Sequence, residues 1–257
     1  LSKSHMQLVN YAIKNKIKGI IIEKPISNSL QSTKKILDLC KKNNVKLVVN
    51  HQRRFFKFYQ DLSASIKSKK FGKIQYVNVY YGGGIANTGS HIFDVLRLFF
   101  GEVREITSKK TKNLSHNIHD PNLDVNIIFK NNIICNLIAL DSKNYGLAEI
   151  EIFGTKNRVL LDLITNEIKI YVVSDKFQDY KRLIERKSSI KCNIPSTDIR
   201  LTIKNLDESI KTKKKILCDG SDGYHSLELV VGALMSYKQK KKIKFPINKI
   251  NYKIHSK

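Results

Sequence analysis

The stretch GIIIEKPISNSLQSTKKILDLCKKNNVKLVVN, residues 19–50, contains the pattern that decides how this chain begins to fold. Two short runs rich in β-branched residues, at 18–24 and 45–50, are typical of strands buried on both faces of a parallel sheet. A helix between them is predicted to begin near Asn28 or Ser29, both common N-cap residues. Its apolar residues recur at helical spacing: Leu30, Ile36, Leu37 and Leu39. The stretch therefore predicts a β-α-β unit with parallel strands.

Polar residues follow both predicted strands. Glu23, Lys24 and Pro25 come after the first strand, and Asn50 and His51 come after the second. Parallel βα units bind their ligands at the carboxyl ends of the strands, so Lys24 is a cation placed where a ligand would lie. Pro25 fixes the turn and is a candidate for a cis peptide bond. The alternative left open is an ordinary solvated lysine in a βα loop.

The residues before the first strand have the spacing of a helix, with Leu8, Val9, Ala12 and Ile13 on one face and Gly19 as its predicted stop. A helix thus precedes the first predicted strand, as in the middle of an α/β unit. We therefore expect the preceding βαβ portion of that unit to be absent from this chain. The 257 residues also contain no G-x-G-x-x-G, the turn that binds a dinucleotide pyrophosphate.

Beyond residue 52 the pattern changes to strands separated by turns. KIQYVNVYY alternates like an antiparallel strand with one wetted face, and turns are predicted at Asn131 and Asn132, in GTKN and in TNE. An amphipathic helix and a short strand end the chain. The predicted fold class is α/β plus α+β: a partial parallel sheet in residues 1–52, then a domain of residues 53–257 with a large, mostly antiparallel open sheet backed by helices.

The chain carries 47 Lys and Arg against 22 Asp and Glu, a formal net charge of +25. Such a charge favours a polyanionic partner. The lysines, however, are dispersed over every predicted element, and a general bias of composition towards lysine would produce the same net charge. A nucleic-acid partner is therefore not favoured. A dinucleotide or nucleotide sugar would be attracted by the same field.

The four cysteines, Cys40, Cys135, Cys192 and Cys218, are far apart and form no C-x-x-C pair. This spacing predicts buried thiols in a reducing cytoplasm, without a metal site or a disulfide framework. No apolar run approaches the roughly 20 residues that span a bilayer, so no membrane segment is expected.

The segment YGGGIANTGSHIFDVLRLFFG, residues 81–101, places glycines before an apolar helix face. We expect Gly82, Gly83, Gly84 and Gly89 to allow tight turns close to a ligand. Ser90 is the predicted N-cap and Gly101 the predicted stop. His91 would then lie in the first helical turn, where the helix dipole keeps imidazole neutral, as a general base requires. A histidine that only caps or packs at the helix start is the alternative.

These segments together resemble the Gfo/Idh/MocA family of NAD(P)-dependent sugar and polyol oxidoreductases. The resemblance is carried, in order, by EKPIS, NHQRRF, GGGIANTGSHIFDVLRLFFGEV, EIFGTKNRVLL and DGYHSLELVVGALMSYKQKKKIKFPI, which are distributed over residues 23–247. It implies a partial Rossmann-like sheet that binds NAD or NADP, followed by an α/β substrate domain. It also implies a homo-oligomer formed through the open sheet.

The resemblance assigns roles to individual residues. Lys24 matches the lysine of the family's E-K-P motif, between nicotinamide and substrate, and Glu23 and Pro25 flank it. His91 matches the acid/base histidine of the D-x-x-x-H pattern. In that pattern Asn87 stands where the family has Asp. Lys24, Asn87 and His91 are therefore the predicted catalytic and substrate-binding residues.

Three further residues are assigned to the site by resemblance. His5, in KSHMQL, matches a histidine beside the cofactor, and Arg54, in QRRF, matches an arginine near the interdomain cleft. Both are predicted to bind the cofactor, together with Glu23, Lys24 and Pro25. Tyr224, in the closing segment, is assigned to substrate binding. The function implied is hydride transfer between NAD(P) and a secondary alcohol carbon of a sugar, polyol or nucleotide sugar. The alternatives are a non-catalytic truncated relative and, less favoured, a basic nucleic-acid-binding protein.

Overall fold

A computed structural model describes residues 2–176, 180–186, 190–193, 198–248 and 251–254. Its α-helices are α1 (Ser2–Lys14), α2 (Leu30–Lys42), α3 (Lys57–Lys67), α4 (Gly89–Phe100), α5 (Arg200–Thr212) and α6 (Gly220–Gln239). Its strands are β1 (Gly19–Ile22), β2 (Lys46–Val49), β3 (Ile74–Tyr81), β4 (Val103–Lys110), β5 (Leu123–Phe129), β6 (Ile134–Ala139), β7 (Ala148–Gly154), β8 (Asn157–Asp162), β9 (Glu167–Ser174), β10 (Arg182–Glu185), β11 (Ile190–Lys191) and β12 (Ile243–Lys244). A 3₁₀ turn (Gln52–Phe55) and a π turn (Gly84–Thr88) precede α3 and α4.

The predicted β-α-β unit is confirmed. β1 and β2 pair in parallel, in register from Gly19 with Lys46 to Ile22 with Val49. The Ser29 side chain caps α2 by accepting the Ser32 N–H at 3.2 Å. The two strands are therefore aligned so that their carboxyl ends open on the same side.

The predicted helix stop at Gly19 is wrong. α1 ends at Lys14, Lys16 turns the chain with a φ of 53°, and Gly19 is the first residue of β1. A Cβ on Gly19 would lie 2.7 Å from Leu206 Cδ1 of α5. The glycine is needed because α5, a helix that the sequence pattern did not reveal, packs closely on this strand.

The large sheet is open and mostly antiparallel, as predicted, with the strand order β10-β9-β8-β7-β3-β6-β5-β4-β12. β3 lies inside it, antiparallel to β7 but parallel to β6, where Val77 pairs with Cys135. The prediction of an antiparallel strand for KIQYVNVYY thus holds on one edge only. Alternating polarity reports which face of a strand is buried, and it does not report the direction of its neighbours.

The helix α6 joins the two sheets. At one end a Cβ on Gly220 would press on Leu37 and Leu47 of the small sheet layer. Further along, Ser108 of β4 donates its hydroxyl to the Ala233 carbonyl at 2.5 Å. α6 is buried around most of its circumference rather than on the one face that an amphipathic helix would bury. The small sheet and the large sheet are therefore both packed against one central helix.

Among the helices of the described residues, none combines the length and apolar composition needed to cross a lipid bilayer. All four cysteines are unpaired thiols, and three of them, Cys40, Cys135 and Cys218, are buried. The Cys192 thiol is half-buried.

Candidate active site

An open cavity of about 530 Å³ lies where the chain leaves β2, where α4 begins and where the β6–β7 and β8–β9 loops turn. Its polar wall consists of Gln52, Arg53, Asn87, Thr88, His91, His116 and Ser142. Its other wall is formed by small and apolar residues, among them Gly82, Gly83, Gly146, Leu147, Leu163 and Ile164. The cavity therefore offers donors and acceptors on one side and a short apolar surface on the other.

Lys24 follows the carboxyl end of β1 and contacts the cavity wall at Asn87. Its peptide bond to Pro25 is cis, as predicted. The Lys24 ammonium donates to the backbone carbonyl of Asn87 at 3.2 Å and lies 3.3 Å from Asn87 Oδ1. The ends of the two parallel strands are also joined, because Asn50 Nδ2 donates to Glu23 Oε1 at 2.7 Å. Two residues that lie 63 positions apart in sequence are thus brought together at the predicted site.

The glycine-rich turn before His91 is held by the β4–β5 loop. Its leading N–H groups donate to residues 120–122: Gly84 to Asn122 Oδ1 (2.9 Å), Ile85 to the Pro121 carbonyl (3.0 Å), Ala86 to Asp120 Oδ1 (2.7 Å) and Asn87 to Asp120 Oδ2 (2.8 Å). These are the groups that a helix start leaves unpaired. The chain's own Asp120 therefore occupies the position at which a helix start would bind an anion.

The expected role of the glycines is partly corrected by this arrangement. Gly83 and Gly84 have φ of 87° and 90°, and a Cβ on Gly84 would overlap the Asp120 carboxylate. Gly89 is ordinary right-handed helix with a φ of −58° and packs on Ile85, so it neither turns the chain nor approaches the cavity. Gly82 and Gly83 do line the cavity. Of the four glycines named in the prediction, these two are the ones on the cavity wall.

Ser90 is not the N-cap that the sequence predicts. Helical backbone already begins at Gly84, and the Ser90 hydroxyl donates to the Asn87 carbonyl at 2.8 Å instead of accepting an N–H. The predicted stop of this helix at Gly101 is confirmed, with a φ of 84°.

His91 is half-buried on the cavity wall. Burial of the ring, together with the positive charge of Lys24 and the neighbouring His51 and Arg53, holds the pKa of His91 well below its usual value. The imidazole is therefore neutral near pH 7, as expected, but the chief cause is loss of hydration rather than the helix dipole.

Sequence reasoning missed a buried group of charges behind His91. Asp94, one turn further along α4, accepts from Arg54 Nε at 2.9 Å and from the Ser226 hydroxyl at 3.0 Å. Arg54 also pairs with Asp222 of α6 at 2.9 Å. The sequence pattern gave no signal for it, because Asp94 lies on the side of α4 opposite Ile92, Leu96 and Phe99, where a charged residue is ordinarily solvated.

His51 stands between that charge group and His91. Its ring packs edge-on against His91, with centroids 6.1 Å apart, and its Nδ1 lies 3.9 Å from Asp94 Oδ2. Burial lowers the pKa of His51 to about 4. A neutral, buried His51 therefore separates the carboxylate from the candidate base.

The remaining predicted site residues lie around the cavity rather than on its wall. His5 Nδ1 is 2.8 Å from the Ile26 carbonyl, which ties α1 to the loop after Pro25. Arg54 is buried in the ion pairs described above. Tyr224 is half-buried against His225 at 5.5 Å, outside the cavity wall as the described residues define it. The cofactor and substrate roles assigned to these residues stay predictions.

Among the described residues there is no cluster of three or more His, Cys, Asp or Glu side chains that could hold a metal ion.

Comparison with known protein families gives two matches in chain order. Residues 2–51 match the sequence model of an oxidoreductase family's NAD-binding Rossmann fold, and residues 77–245 match that family's C-terminal α/β domain. The second match alone spans more than half of the chain.

Similar proteins are oxidoreductases. The chain is 25% identical to the oxidoreductase YrbE of Bacillus subtilis, covering 90% of this chain and 72% of YrbE. It is 23% identical to myo-inositol 2-dehydrogenase of Thermotoga maritima, covering 95% of this chain and 77% of that enzyme.

The crystal structure of the WlbA dehydrogenase from Bordetella pertussis, in complex with NADH and UDP-GlcNAcA, has the same fold. It superposes with a TM-score of 0.73 at 17% identity, over 95% of this chain and 76% of WlbA. The ordered family matches and the shared architecture lead to one conclusion: this chain belongs to the Gfo/Idh/MocA family of oxidoreductases.

Proposed function

We propose that the chain is an NAD(P)-dependent oxidoreductase, or the larger part of one, that acts on a secondary alcohol carbon of a sugar, polyol or nucleotide sugar. The observation that carries the proposal is the meeting of Lys24, Asn87 and His91 beside one open cavity. The similarity to a myo-inositol dehydrogenase and to a dehydrogenase in complex with a nucleotide sugar supports the substrate class.

The residues present fit the nicotinamide end of a dinucleotide. The ammonium of Lys24 lies at the carboxyl end of a parallel strand, where such cofactors bind, and His5 fixes the adjoining loop. Glu23 and Pro25 flank the same position. NAD(P), when bound there, supplies the acceptor or donor of the hydride.

The side chains of this protein would handle the proton. A neutral His91 can accept the hydroxyl proton of the substrate as general base. Lys24 would donate a hydrogen bond to the same oxygen and stabilise the negative charge that develops on it. The Asn87 side chain has its oxygen towards Lys24, so its NH₂ group is left to bind a neighbouring hydroxyl.

Replacement of His91 by Ala tests the proposal. We expect turnover of the full-length protein to fall by roughly 10²- to 10⁴-fold, because the proton acceptor is lost. NADH affinity, followed by its fluorescence, should be unchanged. His225→Ala is the matched control, since His225 lies outside the cavity wall, beside Tyr224.

Each result has a distinct meaning. Undiminished turnover in the His91 variant would contradict the assigned role. A wild-type protein that binds no NADH and turns over no alcohol would favour the non-catalytic relative. Tight, steeply salt-dependent DNA binding would favour the nucleic-acid alternative.

We also propose a homo-oligomer formed through the open sheet face, and a cytoplasmic location. The face exposes apolar side chains, including Ile134 and Ile138 of β6 and Val173 of β9.

The unpaired thiols support the proposed cytoplasmic location, which is a reducing compartment. A protein isolated with a disulfide between native cysteines would contradict that location.

A further inference from the structure

Arg53 gives the cavity an unbalanced positive charge. It is the permanently charged residue of the cavity wall, and no Asp or Glu belongs to that wall as the described residues form it. Lys24 adds a second cation beside Asn87 at the rim. A neutral ligand would leave the Arg53 charge without an anionic partner.

The hydrogen bonds of Arg53 fix the guanidinium without neutralising it. Nε donates to the Tyr59 hydroxyl at 3.2 Å, and Nη2 donates to the Leu163 carbonyl at 2.5 Å. Burial raises the pKa of Tyr59 to about 12, so this phenol is uncharged near neutral pH. Both acceptors are therefore neutral, and Nη1 has no hydrogen bond within the part of the chain that the structure describes.

The next residue in sequence shows the opposite arrangement. Arg54 is buried and pairs with two carboxylates, Asp94 and Asp222. Arg53 is half-buried and faces the cavity. A guanidinium held in place with N–H groups to spare is suited to bind a carboxylate or phosphate through two hydrogen bonds.

Three carboxylates in segments next to the cavity lining accept backbone N–H groups. Asp141 accepts the Lys143 N–H at 2.9 Å, and Asp162 accepts the Ile164 N–H at 2.7 Å. Asp120 is bonded to the turn before His91. Within the described ranges, none of the three forms an ion pair with Arg53.

We propose that the substrate carries an anionic group, a carboxylate or a phosphate, which binds Arg53 while the reacting hydroxyl lies at Lys24 and His91. The inference rests on the proposed function and narrows its substrate class from sugars in general to anionic ones. Arg53 would act as a specificity-determining residue.

The test compares neutral and anionic forms of the same sugars. Glucose, galactose and mannose, each as free sugar, uronate and 6-phosphate, are titrated by calorimetry into the full-length protein with NAD⁺ present. We expect at least one anionic form to bind ten times or more tighter than its neutral parent. The uronate and phosphate series show which anion is preferred.

Variants of Arg53 test whether this residue causes the preference for the anionic form. Arg53→Gln should weaken binding of the anionic form roughly 10- to 100-fold and leave the neutral parent unchanged, since a charged hydrogen-bonded pair is lost. Arg53→Lys should retain part of the preference, because it keeps the charge but loses the planar fork. Arg104→Gln, on the exposed side of β4, is the matched control and should behave like wild type.

The outcomes separate this inference from the proposed function. Neutral sugars that bind and react as well as the anionic ones would overturn the inference and leave the oxidoreductase standing. A preference that survives in Arg53→Gln, or no binding by any member of the panel, would also overturn it. Anionic forms that bind through Arg53 but are never oxidised would uphold the anion site and contradict the proposed function.

Discussion

At the scale of single residues, Asn87 decides the charge of the candidate site. The resemblance predicts that it takes the place of the family's Asp, and an amide can neither carry a negative charge nor accept a proton. Both of its oxygens lie within 3.3 Å of the Lys24 ammonium. These contacts hold Lys24 at the neutral side chain of Asn87, and the positive charge of Lys24 contributes to the low pKa of His91.

Asn87→Asp should change the pH dependence of turnover. A carboxylate near His91 favours the imidazolium form, so the pKa of His91 should rise. Alcohol oxidation needs neutral His91, and its rise in rate should therefore move to higher pH by the same amount. The pH profile of kcat/KM measures this shift.

The control for this change is Asn10→Asp, at an exposed position on α1. It adds the same charge to the molecule away from Lys24 and should leave the profile unchanged. An unaltered profile in Asn87→Asp would mean that His91 is not the titrating base.

At the scale of elements, the turn Gly84–Thr88 and the β4–β5 loop form one unit. Two backbone N–H groups share the carboxylate of Asp120, and the absence of a Cβ on Gly84 leaves room for it. Asp120 is only 2% exposed, and this burial raises its pKa despite these hydrogen bonds. The position of Asn87, and through it of Lys24, depends on this loop.

Asp120→Asn should destabilise the protein. One oxygen remains to accept a hydrogen bond, while the new NH₂ group faces a backbone N–H, so at least one buried donor loses its partner. The free energy of unfolding in urea should fall by about 1–3 kcal/mol. KM for the alcohol should also rise as Asn87 shifts.

Asp61→Asn is the comparison, because Asp61 belongs to an exposed ion pair with Lys57 on α3. Such pairs contribute at most about 1 kcal/mol. Equal stabilities of the two variants would show that Asp120 does not hold the turn.

At the scale of the whole molecule, one face of the large sheet remains uncovered. The helices pack on the side of Cys135, Leu137 and Ala139, whereas Ile134 and Ile138 on the same strand are 37% exposed. Between them, Asn136 Nδ2 donates to the Tyr76 hydroxyl at 2.6 Å, which satisfies polar groups along the face. A face of this kind is suited to pair with a second copy of the chain.

Sedimentation velocity should therefore show a dimer or a larger assembly. Ile138→Lys should shift the protein towards the mass of one chain, 29.6 kDa, because it places a charge in the interface. Leu8→Lys, at an exposed position on α1, should not. A wild-type protein that sediments as a single chain at micromolar concentration would contradict the proposal.

Much of the fold could be predicted from local pattern. The apolar runs around residues 18–24 and 45–50 predicted the two parallel strands, Ser29 predicted the start of α2, and Asn132 predicted a turn. These features could be predicted because each depends on residues that are close together in the sequence. The division of the chain at residue 52 stays a prediction. Helix α5 escaped the pattern since few of its residues are buried.

The sequence by itself determined the β-α-β unit and the order of the family motifs. Only the tertiary structure decided that β3 pairs in parallel with β6, that Asp120 holds the glycine-rich turn, and that Asp94 and Arg54 lie buried together. Periodicity reports which side of an element avoids water. Partners that are 33 to 63 residues apart are chosen by the packing of whole elements, and that information is not contained in any single stretch of the chain.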